Sequence, residues 1–175
     1  MSGGRPESIC VSCGLCCDGT IFRNLELTDG DDCQTLEAVG VVLTRKDDRF
    51  VALQRCAALD DTKCRVYAGR PQICRDFQCL LLQEHEAGEV DTAEALALID
   101  KTIQLRDRVR AGVDSYLGPS AVPSGGPISL DQRMRDVIAK IAAQPDPEAA
   151  ESAQTATLML MVSLRGRLRR SFARD

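Results

Sequence analysis

Hydrophobic and polar positions change rhythm near residue 80. Beyond it, apolar residues recur at helical spacing almost to the C-terminus. Residues 80–86 open with Leu80, Leu81 and Leu82 and stop near Gly88, a short helix. Residues 93–117 are the most regular stretch: Ala95, Leu98, Ile99, Ile103 and Leu105 lie at helical spacing, with aspartates and arginines on the other face. Gly118-Pro119 ends this helix. Residues 119–127 hold three prolines and read as a surface loop or hinge. Ser129 as N-cap, with Gln132 three residues on, predicts a capping box and a helix to about Ala143. Pro145-Asp146-Pro147 breaks it, and Asp146 followed by proline opens a third long helix reaching about Phe172.

Before residue 80 the pattern is irregular. Residues 20–27 read as a short strand or an extended segment. Thr28 predicts an N-cap for a helix over 29–38, with Asp29, Asp31 and Asp32 in its first turn. Apolar and β-branched runs at 39–44 and 49–53 flank Lys46-Asp47-Asp48, a hairpin pattern. The expected class is α+β, with a small irregular domain over residues 1–88 and a mainly helical extension of three helices over 89–175.

Thiols stand where the irregular half lacks a large apolar core. The chain opens Cys10-Val-Ser-Cys13-Gly-Leu-Cys16-Cys17, a C-x-x-C-x-x-C-C run, and a second group follows at Cys56, Cys64, Cys74 and Cys79. C-x-x-C pairs turn two thiolates toward one centre, in zinc knuckles and iron–sulfur loops alike. Three thiols at C-x-x-C-x-x-C lean toward iron–sulfur, because ferredoxin loops place three thiolates on a cubane that way. Zinc is usually closed by two separate pairs, and the first group does not split into two. Adjacent side chains leave the backbone on different sides, so Cys16 and Cys17 are expected to face different centres or roles. Eight cysteines can therefore supply two four-thiolate sites, or one cluster with spare thiols. Zinc and iron both stay open. Cys33, inside the expected first helix and off ligand spacing, is read as a small buried apolar residue.

Compartment sharpens this reading. The first eight residues are polar, and the longest apolar run, 158–162, is far below the ~20 residues that span a bilayer. A cytoplasmic protein without a membrane span is expected, where thiols stay reduced and clusters mark metal or redox chemistry rather than disulfides. A net charge of −4, 3% aromatic residues and no tryptophan give no footprint for nucleic acid. Arg165, Arg167, Arg169, Arg170 and Arg174 are read as complements to the last helix dipole. His85, the one histidine, is expected to face solvent from its helix. It supports no Ser-His-Asp set, and residues 118–126 lack the features of a phosphate loop, so no catalytic residue is assigned. The 159–162 stretch is read as a buried helix face, with docking of a protein partner as the lesser alternative.

The second group sits in a longer pattern: Tyr67, Arg70-Pro71, Cys74-Arg75, Phe77 and Cys79. With residues 10–17, this resembles the CxxCxxCC cysteine-cluster (YkgJ-type) family, described as zinc- or iron-chelating. The resemblance covers about residues 10–80 and includes all eight cysteines of the pattern. It implies a metal-binding protein whose ligands are Cys10, Cys13, Cys16, Cys17, Cys56, Cys64, Cys74 and Cys79, with zinc or iron as cofactor and a 4Fe-4S cluster among the forms of iron. Arg70 and Arg75 can offset the negative charge of a thiolate centre, and Tyr67 offers a phenolic donor beside it; simple packing roles serve equally well. The alternative is an iron–sulfur redox or protein-modifying enzyme. Some relatives are associated with flagellin lysine methylation, but no position here matches a methyl-donor site.

Overall fold

The computed structural model describes residues 9–119 and 126–173 and has an α+β architecture. After a 3-10 turn at Ile9–Ser12, the cysteine half carries five short strands: β1 (Asn24–Glu26), β2 (Leu43–Lys46), β3 (Arg49–Leu53), β4 (Leu59–Asp60) and β5 (Lys63–Cys64). β3 lies between β1 and β2, antiparallel to both, and β4 pairs with β5 in a separate ribbon. The β2–β3 hairpin falls where the apolar runs around residues 46–48 place it. Its turn puts Asp47 at φ 54°, a left-handed conformation that aspartate tolerates better than most residues.

Three short helices complete this half: α1 (Cys33–Ala38), α2 (Gln72–Asp76) and α3 (Leu80–Glu86). α1 begins four residues later than the sequence suggests. Asp32 caps it by accepting the Thr35 N–H, while Thr28 donates both its N–H and its hydroxyl to Asp31. Three acidic residues around Gly30 thus form a turn before the helix instead of its first turn, and Cys33 heads the helix rather than sitting inside it.

The helical half holds α4 (Thr92–Leu117), α5 (Leu130–Ala142), α6 (Pro147–Ala153) and α7 (Thr155–Ser171). α4 starts with a full Asp91–Glu94 capping box. α5 has only half of its expected one: Ser129 accepts the Gln132 N–H, but the Gln132 amide turns to Asp136. The expected third helix is two. Gln154 leaves helical geometry, and the Thr155 hydroxyl donates to the Glu151 and Ser152 carbonyls, competing with the backbone ladder at that point. Most of the expected 119–127 loop lies outside the described residues, as does Arg174.

Three apolar clusters hold the structure. One joins α4, α5 and α7 through Val109, Val113, Met134, Val137, Met161 and Leu164. The second joins the 3-10 turn, α3, α4 and the end of α7 through Ile9, Leu15, Leu81, Ile99 and Phe172. The third lies between the sheet and α1, around Leu25, Leu27, Leu36, Val41 and Ala52. On α7 only Met161 of the 159–162 stretch is buried; Met159 and Val162 are 65% and 72% exposed. A helix against one neighbouring layer buries a single stripe, so a run of consecutive apolar residues cannot all face inward.

Candidate metal centres

Gly14 gives the cysteine run its shape. At φ 66° it links two tight turns: the Cys13 and Gly14 N–H groups donate to the Cys10 carbonyl, and those of Cys17 and Asp18 donate to the Gly14 carbonyl. A Cβ at Gly14 would sit 3.3 Å from the Thr62 backbone, so the run lies close against the β4–β5 turn. The Cys56 N–H donates to the Cys17 carbonyl at 2.8 Å, and an Asp31 carboxylate oxygen accepts the Gln72 N–H at 2.7 Å. The first bond brings the chain at Cys56 beside the opening run. The second fixes the start of α2, which carries Cys74.

These constraints place all eight family cysteines on one cavity of about 740 Å³. Cys33 does not line it; it packs half-buried against the sheet cluster. The eight thiols divide. Burial pushes Cys13 up to about 12, with Cys79, Cys10 and Asp18 adding repulsion. Cys16 is raised by burial and then mainly by Cys13, its neighbour Cys17, Cys79 and Cys10. Cys79 is raised by burial and by Cys10. Cys17 instead goes up to about 12 through burial and the charges of Cys56, Cys74 and Cys64. Cys74 reaches about 12 through burial, Cys56 and Cys64, against which Arg70 pulls down. Burial also raises Cys56, Cys64 adds to it, and Arg65 opposes it.

Cys10, Cys13, Cys16 and Cys79 are thus mutual neighbours, and Cys17, Cys56, Cys64 and Cys74 are another set. Packing draws the same line for five of them. Cys13 and Cys79 belong to the apolar cluster shared with α3, α4 and Phe172, and Cys56, Cys64 and Cys74 to the cluster under the sheet. The thiols ring the cavity rather than meeting at a point: among the described residues no group of three or more stands close enough to hold an ion. Ligation has to draw them inward.

The donor chemistry fits a cation. Crowded, desolvated thiols resist ionisation, and a divalent metal reverses that by stabilising the thiolates. Gln54 adds a second sign. It lines the same cavity, is 1% exposed, and neither amide atom has a hydrogen-bond partner among the described residues. A buried orphan amide is costly unless a charged or polar group meets it.

The other assigned residues also line the cavity. Tyr67 lies 46% exposed under the Arg70 guanidinium, 4.2 Å from it, and has no hydrogen bond among the described residues. Arg75 donates to Gln72 and helps hold Asp31 below the usual carboxylate range; hydrogen bonds from Thr28 and Gln72 do more, against the effect of burial. His85 departs from its expected solvent position. It is half-buried on the cavity wall, and its Nδ1 bonds the Val90 carbonyl at 3.0 Å. A carbonyl only accepts, so Nδ1 carries the proton.

Sequence reasoning missed Asp18. Its side chain is 4% exposed, between the cysteine run and α4, where Arg106 pairs with it and Arg110 stands 3.6 Å away. It also accepts the Thr20 N–H at 2.9 Å. Arg106 was expected on the solvent face of α4. The available signal was a carboxylate directly after Cys17 and two arginines one helical turn apart, which sequence alone does not connect.

A cavity walled by thiols, set on a helical extension, defines a cysteine-cluster domain. Residues 9–95 match the CxxCxxCC family, described as "Putative zinc- or iron-chelating domain". That part of the chain, holding all nine cysteines, belongs to this family. No curated protein and no solved structure matches significantly. No helix among the described residues is long and apolar enough to cross a membrane.

Proposed function

We propose that the cysteine half binds two metal centres, each held by four thiolates: Cys10, Cys13, Cys16 and Cys79 for one, and Cys17, Cys56, Cys64 and Cys74 for the other. The observation that carries this reading is the division of the eight thiols by their charge neighbours, with which the apolar clusters agree for the five thiols they include. Zinc suits the second set, whose four cysteines come from separate segments and have Arg65 and Arg70 nearby to offset thiolate charge. In this role the metal cross-links the sheet ribbon, α2 and the opening run, and no catalytic step is needed. A reducing compartment such as the cytoplasm keeps the thiols available.

A second reading applies to the first set. Three of its thiols come from one C-x-x-C-x-x-C loop and the fourth from a distant residue, the arrangement that suits an iron–sulfur cubane. Cys13, Cys16 and Cys79 have no arginine or lysine among the main influences on them, and the wall includes Leu15, Leu81 and Leu82. Such surroundings favour the less charged state of a cluster and would tune its potential. A redox or protein-modifying role would follow from a cluster there.

Anaerobic purification of the full chain, with elemental analysis for zinc and iron and a visible spectrum, tests both. Two zinc equivalents and no colour support two structural centres. Iron and sulfide with absorption near ~400 nm support the cubane. Less than stoichiometric metal of either kind contradicts the proposal.

A further inference from the structure

A second groove has no cysteine in its lining. It has a volume of about 520 Å³ and runs between α5 and α7, with Thr20 and Ile21 among its lining residues. Its floor is apolar, formed by Ile138, Ala139, Ala142 and Leu168, and its polar residues are Asp131, Arg135, Arg165 and Arg169 with Thr20. One carboxylate gathers three guanidinium groups: Asp131 lies 3.0 Å from Arg135 and 3.5 Å from both Arg23 and Arg165. Arg23 and Arg135 reach it through Nε, so their terminal NH2 groups have no partner among the described residues. Arg169 has no ion-pair partner there at all. In a chain of net charge −4, four arginines around one aspartate form a local positive surplus.

Thr20 supplies an independent observation. It is 4% exposed, lines the groove, and its hydroxyl has no hydrogen-bond partner among the described residues. An orphan hydroxyl and clustered guanidinium forks each carry a cost that a bound anion removes. A surplus of more than one positive charge matches a dianion better than a carboxylate, and the apolar floor matches an organic body. The volume lies within the range of small-molecule sites.

We propose that the α5–α7 groove binds a small organic phosphate monoester, its phosphoryl group between Arg135, Arg165 and Arg169 and its apolar body on Ile138 and Ala142. This site does not depend on the metal reading. Calorimetric titration of the full, metal-loaded chain with phenyl phosphate, inorganic phosphate, benzoate and benzyl alcohol tests it. Phenyl phosphate is expected to bind most tightly, inorganic phosphate and benzoate more weakly, and benzyl alcohol not detectably. Arg169→Gln removes no hydrogen bond or ion pair among the described residues and is expected to weaken phenyl phosphate about ten-fold, the scale of one charged hydrogen bond. Thr20→Val is expected to weaken it to a lesser degree with metal content unchanged. Undetectable binding of phenyl phosphate, affinity no better than that of inorganic phosphate, or affinity unchanged in Arg169→Gln would each overturn the proposal.

Discussion

The buried thiols set opposite pH responses for the metal-free and metal-bound protein. In the metal-free chain Cys13, Cys17 and Cys74 hold their protons up to about 12, whereas thiols of the unfolded chain release theirs near 9.0. The folded-state values are raised, so their contribution is complete below pH 9 and disappears as pH climbs toward 12. Urea unfolding of metal-free protein should show stability falling across that window. With metal bound, protons compete for thiolates, and stability should fall on the acid side instead. Asp18 makes a second residue-scale case. Asp18→Asn keeps the shape but leaves Arg106 and Arg110 without their buried counter-charge, and should cost about 3 kcal/mol in the same assay. An unchanged midpoint would mean that the pair does not anchor α4 to the cysteine run.

Local chemistry decided how well each element could be read. Proline, aspartate and serine signals sit at the helix ends they imply: Asp146-Pro147 opens α6 and Ser129 opens α5. Apolar and β-branched runs around Lys46-Asp47-Asp48 gave the hairpin, because a two-residue turn fixes its pairing. The break at Gln154 was not readable, since no glycine or proline marks it and Thr155 acts through its hydroxyl. The Asp31–Asp32 turn was misread for a related reason: aspartates serve turns and caps equally well. The apolar stretch of α7 allows a direct comparison of faces. Met161→Ala should cost about 2–4 kcal/mol because Met161 fills the α4–α5–α7 cluster. Val162→Ala should stay within about 0.5 kcal/mol, as its side chain faces outward. Equal costs for the two would contradict the observed orientation of the helix.

Across the molecule, two different means of stabilisation meet at the cysteine run. The helical half has a continuous apolar core, while the cysteine half has short strands and a cavity walled by thiols. Removing metal with a chelator should therefore raise hydrogen exchange in β1–β5 and α2 well before α4, α5 and α7. Uniform loss of protection would make the two halves one cooperative unit. The cysteine pattern was legible as a metal signature, and the alternation of Cys16 and Cys17 already suggested two destinations. The partners of each set were not, because Cys79 joins residues far away in sequence and only folding through α3 brings it there. The pairing of Asp18 with Arg106 was hidden by the same distance.

The central claim is that two neighbouring cysteines serve different centres. Elemental analysis of the anaerobically purified full chain beside its Cys16→Ser and Cys17→Ser variants tests it most directly. Each variant is expected to lose one centre and keep the other, and the double variant to lose both. If the double variant loses no more metal than either single variant, or if neither single variant loses any, the division of the eight thiols into two sets of four is contradicted.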